Sequence, residues 1–358
     1  MGVRALPFSM GDRSPAILGA AASGRFFSLD AQAGRPVAVV ALGALDPQAA
    51  AGLLERLRAA APLFQAAGVD LAPLAPASLE FTGRFAADPA ARDDLLYVTA
   101  GAGVELAHVD GAAAGVLIDR SGRVVDVIAL DEATDIAAWL SASAPRVWAE
   151  PSQVRASTAP VLMIPNIASP QLCRALIDHF EASPHEAGVM ASFKDGGAYA
   201  KLDEDKKKRR DTELTAGMPL YGEIMEVLAK RVIPEIKRAF QTDMAFADRV
   251  LIARYDDTGG YFKRHRDNAA PHTAFREFAI SLNLNTHEYE GGEILFPEYD
   301  DHRYNPPAGG AVVFSASLLH EAAPVTRGSR YVLLSFLGSA AAQATLDAWV
   351  EGQKAIAS

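Results

Sequence analysis

Between Asp248 and Gly338 every apolar stretch is short, and each is cut off by glycine, proline, asparagine or aspartate. The segments DRVLIARYDD, EFAISLNLN, GEILFPE, GAVVFSASL and RYVLLSFLG succeed one another in this way. Short apolar runs bounded by turn formers read as strands. Many such strands in sequence, with no helical pattern between them, predict a sandwich or jelly-roll core.

The first half has a different grammar. Val37–Leu42 lies in a continuous apolar run, as expected of a strand buried on both faces. Asp46-Pro47 supplies a helix cap and a proline for the first turn, and Leu53, Leu54 and Leu57 follow at helical spacing. Two further strand-like runs flank Arg120-Ser-Gly122, a hairpin signal. Around residues 143–160 prolines and small polar residues collect, which predicts a linker. The expected organisation is α+β and multidomain: an α/β domain at 1–142, a linker at 143–160, a β-rich domain with flanking helices at 161–340 and a closing helix at 341–358. In the second domain Ser169-Pro170 caps a predicted helix carrying Leu172, Leu176 and Phe180, and a second helix near 219–240 is expected to break at Pro234.

Composition narrows the function classes. A formal net charge of −10 argues against a nucleic-acid or anionic-membrane partner, and no apolar stretch is long enough for a membrane span. Cys173 is the only cysteine, so no intrachain disulfide forms, which fits a reducing cytoplasm. The opening GDRSPAILGAAASGRFFSLDAQAGRPVAVVALG and the later GVLIDRSGRVVDVI resemble the peroxiredoxin group of the thioredoxin fold over roughly residues 8–140. Where that family carries its thiol nucleophile this chain has GALDPQAAAG, so peroxide reduction is not expected.

Chemistry concentrates around YFKRHRDNAAPH. A ferrous ion that must also take substrates needs few protein ligands, and two imidazoles with one carboxylate on one side suffice. His265 and Asp267, two positions apart, share a side of an extended chain, and His320 is the third candidate, at the end of AVVFSASLLH. Arg330 follows ten residues later, where a planar guanidinium suits a fixed carboxylate. A second pair, His108 and Asp110, lacks such companions and reads as a polar turn.

In the strings RYDDTGGYFKRHRD, SLNLNTHEYEGGEILFPE and PPAGGAVVFSASLLHEAAPVTRGSRYVLLSFL, the chain resembles the prolyl-4-hydroxylase-like Fe(II)/2-oxoglutarate dioxygenases over roughly residues 160–338. The resemblance implies a double-stranded β-helix, with His265, Asp267 and His320 as iron ligands, Arg330 on the distal carboxylate of 2-oxoglutarate and Tyr255 as a supporting contact. It implies Fe(II), 2-oxoglutarate and O2 as requirements and hydroxylation of an unactivated C–H bond, with release of succinate and CO2. Halogenating relatives lack the carboxylate that Asp267 provides. The expected substrate is peptidyl or amino-acid-like, proline first. The alternatives are a noncatalytic metal and 2-oxoglutarate sensor that recruits a partner, and a hydroxylase of a free metabolite. Homodimerisation is left open.

Weaker substrate candidates surround this set. The charge run KLDEDKKKRRDTEL, residues 201–214, is expected as an exposed mobile loop, with Arg209 and Arg210 as lid candidates. Arg266, between two ligands, and Asn283, on SLNLN, are further candidates for substrate contact.

Overall fold

The computed structural model describes residues 9–20, 26–42, 45–76, 96–100, 113–147, 154–188, 190–194, 197–201 and 203–357. The chain forms two compact units, Met1–Ser152 and Gln153–Ser358, divided within the 143–160 stretch.

In the first unit the strands are β1 (Leu18–Ala20), β2 (Phe26–Ser28), β3 (Val37–Ala41), β4 (Asp70–Pro76), β5 (Leu96–Ala100), β6 (Ala113–Ile118) and β7 (Val124–Leu130). They make one sheet in the order β2-β1-β5-β4-β3-β6-β7. The central β3, β4 and β5 run parallel, and β6 and β7 join antiparallel through the Arg120-Ser-Gly122 turn. Helix α1 (Pro47–Ala66) starts where the Asp46 carboxylate accepts hydrogen bonds from the Gln48 and Ala49 amides. With α2 (Ile136–Ser143) it covers one face, where Leu53, Leu57 and Trp139 pack on Ala38 and Val40. Alternate residues of β3, Val37, Val39 and Ala41, enter the opposite core with Ile17 and Leu74. The strand is therefore buried on both faces, as its uninterrupted apolar sequence requires.

The second unit opens with β8 (Leu162–Ile164) and α3 (Pro170–Ala182), whose first turn is closed by Ser169 Oγ accepting from the Leu172 amide at 3.1 Å. Its stripe of Leu172, Leu176 and Phe180 is buried, and burial pushes the Cys173 thiol on the same side up to about 11, so it serves as a small apolar residue. Next come β9 (Glu186–Ala187), β10 (Met190–Lys194), β11 (Gly197–Lys201), β12 (Lys207–Lys208) and β13 (Arg210–Leu214). Helices α4 (Pro219–Val227) and α5 (Ile233–Phe240) meet through a π-helical turn at Leu228–Val232. Pro234 has no amide to donate back into the preceding turn, and the wider turn accommodates the missing bond.

The remaining strands are β14 (Phe246–Asp256), β15 (Tyr261–His265), β16 (Phe278–Asn283), β17 (Glu290–Gly291), β18 (Ile294–Leu295), β19 (Ala311–Ser315), β20 (His320–Ala322), β21 (Val325–Arg327) and β22 (Ser329–Gly338), before the terminal helix α6 (Ala340–Ala357). A long sheet runs β8-β19-β16-β22-β14-β13-β9 and a short one β12-β15-β20-β18. Side chains of both meet in mixed apolar clusters, Ile294 and Phe296 with Val312 and Phe314 at one end, and Phe262 and Ala322 with Ala253 and Val332 at the other. Helices α3, α4 and α5 pack with Ile252, Ile280 and Leu333 in a separate core. Among the described residues no helix is long and apolar enough to cross a membrane.

Two expectations are corrected by this topology. AVVFSASLLH is not one strand: a turn after Ser315, closed by the Leu318 amide on the Ser315 carbonyl, carries the chain from the long sheet into the short one. His320 therefore begins β20 instead of ending β19. The described part of the 201–214 run is not an exposed loop either, because β12 pairs with β15 and β13 pairs with β14. Its alternation is polar on both sides: Lys207, Arg209 and Asp211 have largely buried side chains, whereas Arg210 is exposed.

Candidate active site

β15 and β20 are antiparallel neighbours in which His265 faces His320 directly. Asp267 lies just beyond β15, its amide donating to the Ala316 carbonyl at 3.0 Å. The carboxylate then reaches both imidazoles, with Oδ1 3.5 Å from His265 Nε2 and Oδ2 3.5 Å from His320 Nε2. Nδ1 of His265 is 2.8 Å from the Lys263 carbonyl oxygen and Nδ1 of His320 is 3.0 Å from that of Leu318. Each Nδ1–H thus has a backbone acceptor, which fixes the tautomer and leaves both Nε2 lone pairs turned toward the carboxylate. All three ligand atoms lie within 4.8 Å of one another. Two imidazole nitrogens and one carboxylate, with no fourth donor grouped with them among the described residues, fit a divalent iron ion with open positions.

Aromatic rings hold these ligands in place. Phe262 stacks on His265 with ring centres 3.4 Å apart, and Phe314 meets His320 edge-on at 4.6 Å. Burial acts to raise the Asp267 carboxyl, but His320 and His265 outweigh it and hold the group below its ordinary value. Burial pushes the His320 imidazole down to about 4; Asp267 opposes the shift and His265 reinforces it. His320 is therefore a neutral ligand at neutral pH.

A stability prediction follows for the metal-free protein. His320 takes a proton near pH 6.5 when unfolded and near 4 when folded. Stability is complete above the unfolded value and is lost as pH falls toward the folded one, by ~3 kcal/mol. Urea unfolding at pH 7 and pH 4 should show this loss in the wild type and a smaller loss in His320→Asn; equal losses would contradict the assignment.

The ligands open into a cavity of about 320 Å³ that also receives Lys207, Arg209, Tyr255, Arg249 and Arg330. Arg330, on β22, is only 2% exposed. Its Nη2 donates to Asn283 Oδ1 at 3.0 Å and Ser281 Oγ at 3.3 Å, and its guanidinium lies 5.4 Å from the Tyr255 ring centre. Nε finds no acceptor among the described residues. A buried cation whose partners among the described residues, Asn283, Ser281 and Tyr255, are all neutral is arranged for an anionic ligand. Within the string SLNLNTHEYEGGEILFPE, Gly292 has a steric role: a Cβ there would come within 2.8 Å of Arg330 Cδ, so any side chain would displace the arginine.

The candidates fall into three groups. His265, Asp267, His320, Arg330, Tyr255 and Arg209 meet in one cavity. Arg209 is held there by Asp211, Nε to Oδ1 at 2.7 Å, and donates to the Tyr255 phenol oxygen at 2.9 Å. Asn283 is corrected: it is not a cavity residue, because its side chain binds Thr286, Tyr289, Asn305 and Pro306 while positioning Arg330. Arg210 is likewise outside the cavity, on the exposed side of β13. Arg266 reaches the cavity mouth, but Glu298 clamps its guanidinium through 2.6 and 3.0 Å bonds, so it is not set to grip a substrate. His108 and Asp110 lie outside the described residues.

Sequence reasoning missed Lys207, whose side chain is 5% exposed and lines the same cavity. Burial pushes its ammonium down to about 7, with Arg209 and Arg249 adding to the shift and Asp211 opposing it. The Gly188 backbone closes on this group: a Cβ there would lie 2.9 Å from atoms of Lys207, Arg209 and Asp211. The signal available was the two-residue spacing of Lys207, Arg209 and Asp211, which puts the three on one side of an extended chain with no apolar residue among them.

Residues 250–338 match the model of the 2OG-Fe(II) oxygenase superfamily. A PKHD-type hydroxylase of Picosynechococcus sp. is 30% identical over 157 residues, 42% of this chain and 68% of its own length. One from Hyphomonas neptunium is 28% identical over 166 residues, covering 44% of this chain and 71% of that protein. Among solved structures, a Pseudomonas putida prolyl-4-hydroxylase aligns with 51% of this chain and 94% of its own, at 18% identity and a TM-score of 0.38. The matched segment contains all three ligands, Arg330 and Gly292. This chain belongs to the 2OG-Fe(II) oxygenase superfamily, among its PKHD-type hydroxylases, and is an oxidoreductase that works with Fe(II), 2-oxoglutarate and O2.

Proposed function

We propose that the enzyme hydroxylates an unactivated C–H bond of a peptidyl or amino-acid-like substrate, proline first, releasing succinate and CO2. The observation that carries this reading is the convergence of His265, Asp267 and His320 in a cavity that also holds the buried Arg330. In it, the three ligands hold Fe(II) and leave its other positions to small molecules. Fe(II), 2-oxoglutarate and O2 together supply the oxidising power for the reaction. The protein's part is binding, orientation and exclusion of side reactions.

Arg330 grips the distal carboxylate of 2-oxoglutarate, with Asn283 and Ser281 fixing its planar fork. Tyr255 forms the neighbouring wall, its phenol oriented by Arg209. Phe262, Phe314 and Leu334 keep the ligand end of the cavity apolar, which limits water near the reacting carbon. The second unit is read as a double-stranded β-helix, on its seven-stranded and four-stranded antiparallel sheets. The first is read as a thioredoxin-like partner-binding or stabilising domain without a thiol nucleophile, on its parallel centre and antiparallel edge. The single buried cysteine supports a cytoplasmic setting.

The test supplies Fe(II), 2-oxoglutarate and O2 to the purified chain, with proline-containing peptides or free amino acids. Succinate formation should be matched by a product heavier by one oxygen atom. Succinate without any oxidised product across peptides and amino acids would remove this substrate class.

A further inference from the structure

β14 is interrupted where its pairing with β22 slips between Asp248 and Val250. The extra residue, Arg249, has φ +48, a left-handed conformation unfavourable for a side chain of its kind. Bulges of this sort re-aim side chains, and strained residues persist where the surroundings enforce them. Here the outcome is specific: Arg249 lines the active-site cavity. Asp248 beside it takes Arg276 at 2.7 Å, and that arginine lies 3.9 Å from the centre of the Phe336 ring.

The cavity's arginines differ in how firmly they are committed. Arg209, Arg266 and Arg276 each hold a carboxylate at 2.7 Å or closer. Arg249 reaches Glu213 only at 3.3 and 3.5 Å, between side chains that are 41% and 46% exposed, a pairing of little strength. Arg249 precedes Tyr255 by six positions of β14, roughly 20 Å of strand, so it serves a different end of the cavity from the Arg330–Tyr255 wall. Lys207 connects that end to the chemistry. Its Nζ is 5.2 Å from the centre of the Phe262 ring, the ring stacked on His265, and Arg249 is close enough to disfavour its charge. An anion between the two cations would relieve that repulsion.

We propose that the substrate carries a carboxylate which Arg249 and Lys207 hold inside the cavity, making Arg249 a specificity-determining residue. This rests on the hydroxylase reading above and narrows its substrate to an acidic one. The carboxylate belongs either to an acidic residue beside a peptidyl target or to a free amino acid or its acylated form.

Two matched probe pairs separate these sources: a capped Ala-Pro-Glu peptide with its Ala-Pro-Gln counterpart, and N-acetylproline with N-acetylprolinamide. Their binding is measured by calorimetry on the anaerobic Fe(II)- and 2-oxoglutarate-loaded chain. The acidic member of at least one pair should bind about ten- to a hundredfold more tightly, as for a hydrogen-bonded charge. Arg249→Gln should erase that preference and Arg249→Lys should keep most of it, with thermal melts confirming that both variants fold. Equal binding within both pairs, no binding by either acidic probe, or an unchanged preference in a folded Arg249→Gln variant would overturn the proposal. Succinate formation by the wild type in air is scored separately. Its presence alongside equal binding sinks only the carboxylate subsite, whereas its absence sinks the hydroxylase reading.

Discussion

His320→Ala should reduce Fe(II)-dependent succinate formation more than ~100-fold, beyond the losses typical of residues that merely support a metal ligand. The change removes one of three donors and leaves Asp267 and His265 with an incomplete set. It also opens a small gap beside Phe314 and Phe296, so some stability is lost, but the long sheet and its helices do not depend on that ring. Circular dichroism should therefore report a folded protein whose iron content, measured after desalting, has collapsed. His108→Ala is the control for the other histidine–aspartate pair and should leave turnover intact. Normal iron content in His320→Ala, or lost turnover in the control alone, would mean that the wrong residues have been named.

Arg330→Met should separate co-substrate binding from metal binding. Truncating one partner of a buried charged contact costs on the order of 2–5 kcal/mol, a loss of tens- to thousands-fold in 2-oxoglutarate affinity. Iron content should not change, because Arg330 is not one of the three ligands and its hydrogen bonds go to Asn283 and Ser281. Methionine fills much of the same volume, which limits the packing penalty. Arg330→Lys keeps the charge without the planar fork, and its affinity should fall between the two. The measurement is KM for 2-oxoglutarate together with direct titration of the iron-loaded variants. An unchanged KM in Arg330→Met would assign the distal carboxylate to another cation of the cavity.

These residues could be read in advance because each carries a local signature. His265 and Asp267 are spaced for one side of an extended chain, and Arg330 is a lone cation within an apolar strand. The strands themselves were equally visible, since β14, β16, β19 and β22 bury residues that are apolar and flanked by turn formers. Lys207 and Arg209 lacked such contrast. Their inward positions alternate with Lys208 and Arg210, so no apolar period marks the buried side. What buries them is partnership across strands far apart in sequence, with Asp211 and Tyr255 supplying the polar contacts. Asn283 was misread for a related reason. A strand sequence shows that a side chain is inside, but not whether it meets the cavity or, as here, the amide network behind Arg330. The conformation of Arg249 was also hidden, because its non-glycine side chain gives no warning of a positive φ.

The direct pairing of His265 with His320 has a mechanical consequence. The strands that carry them span only five and three residues, and they lie in the four-stranded sheet instead of the seven-stranded one. An ion held by both rings would rivet this weak seam from inside, so that ligation and strand registry become a single cooperative event. Iron scarcity would then do more than idle the catalyst. It would loosen the wall on which the reactants must be aligned, and the long sheet would be left standing as a half-built vessel.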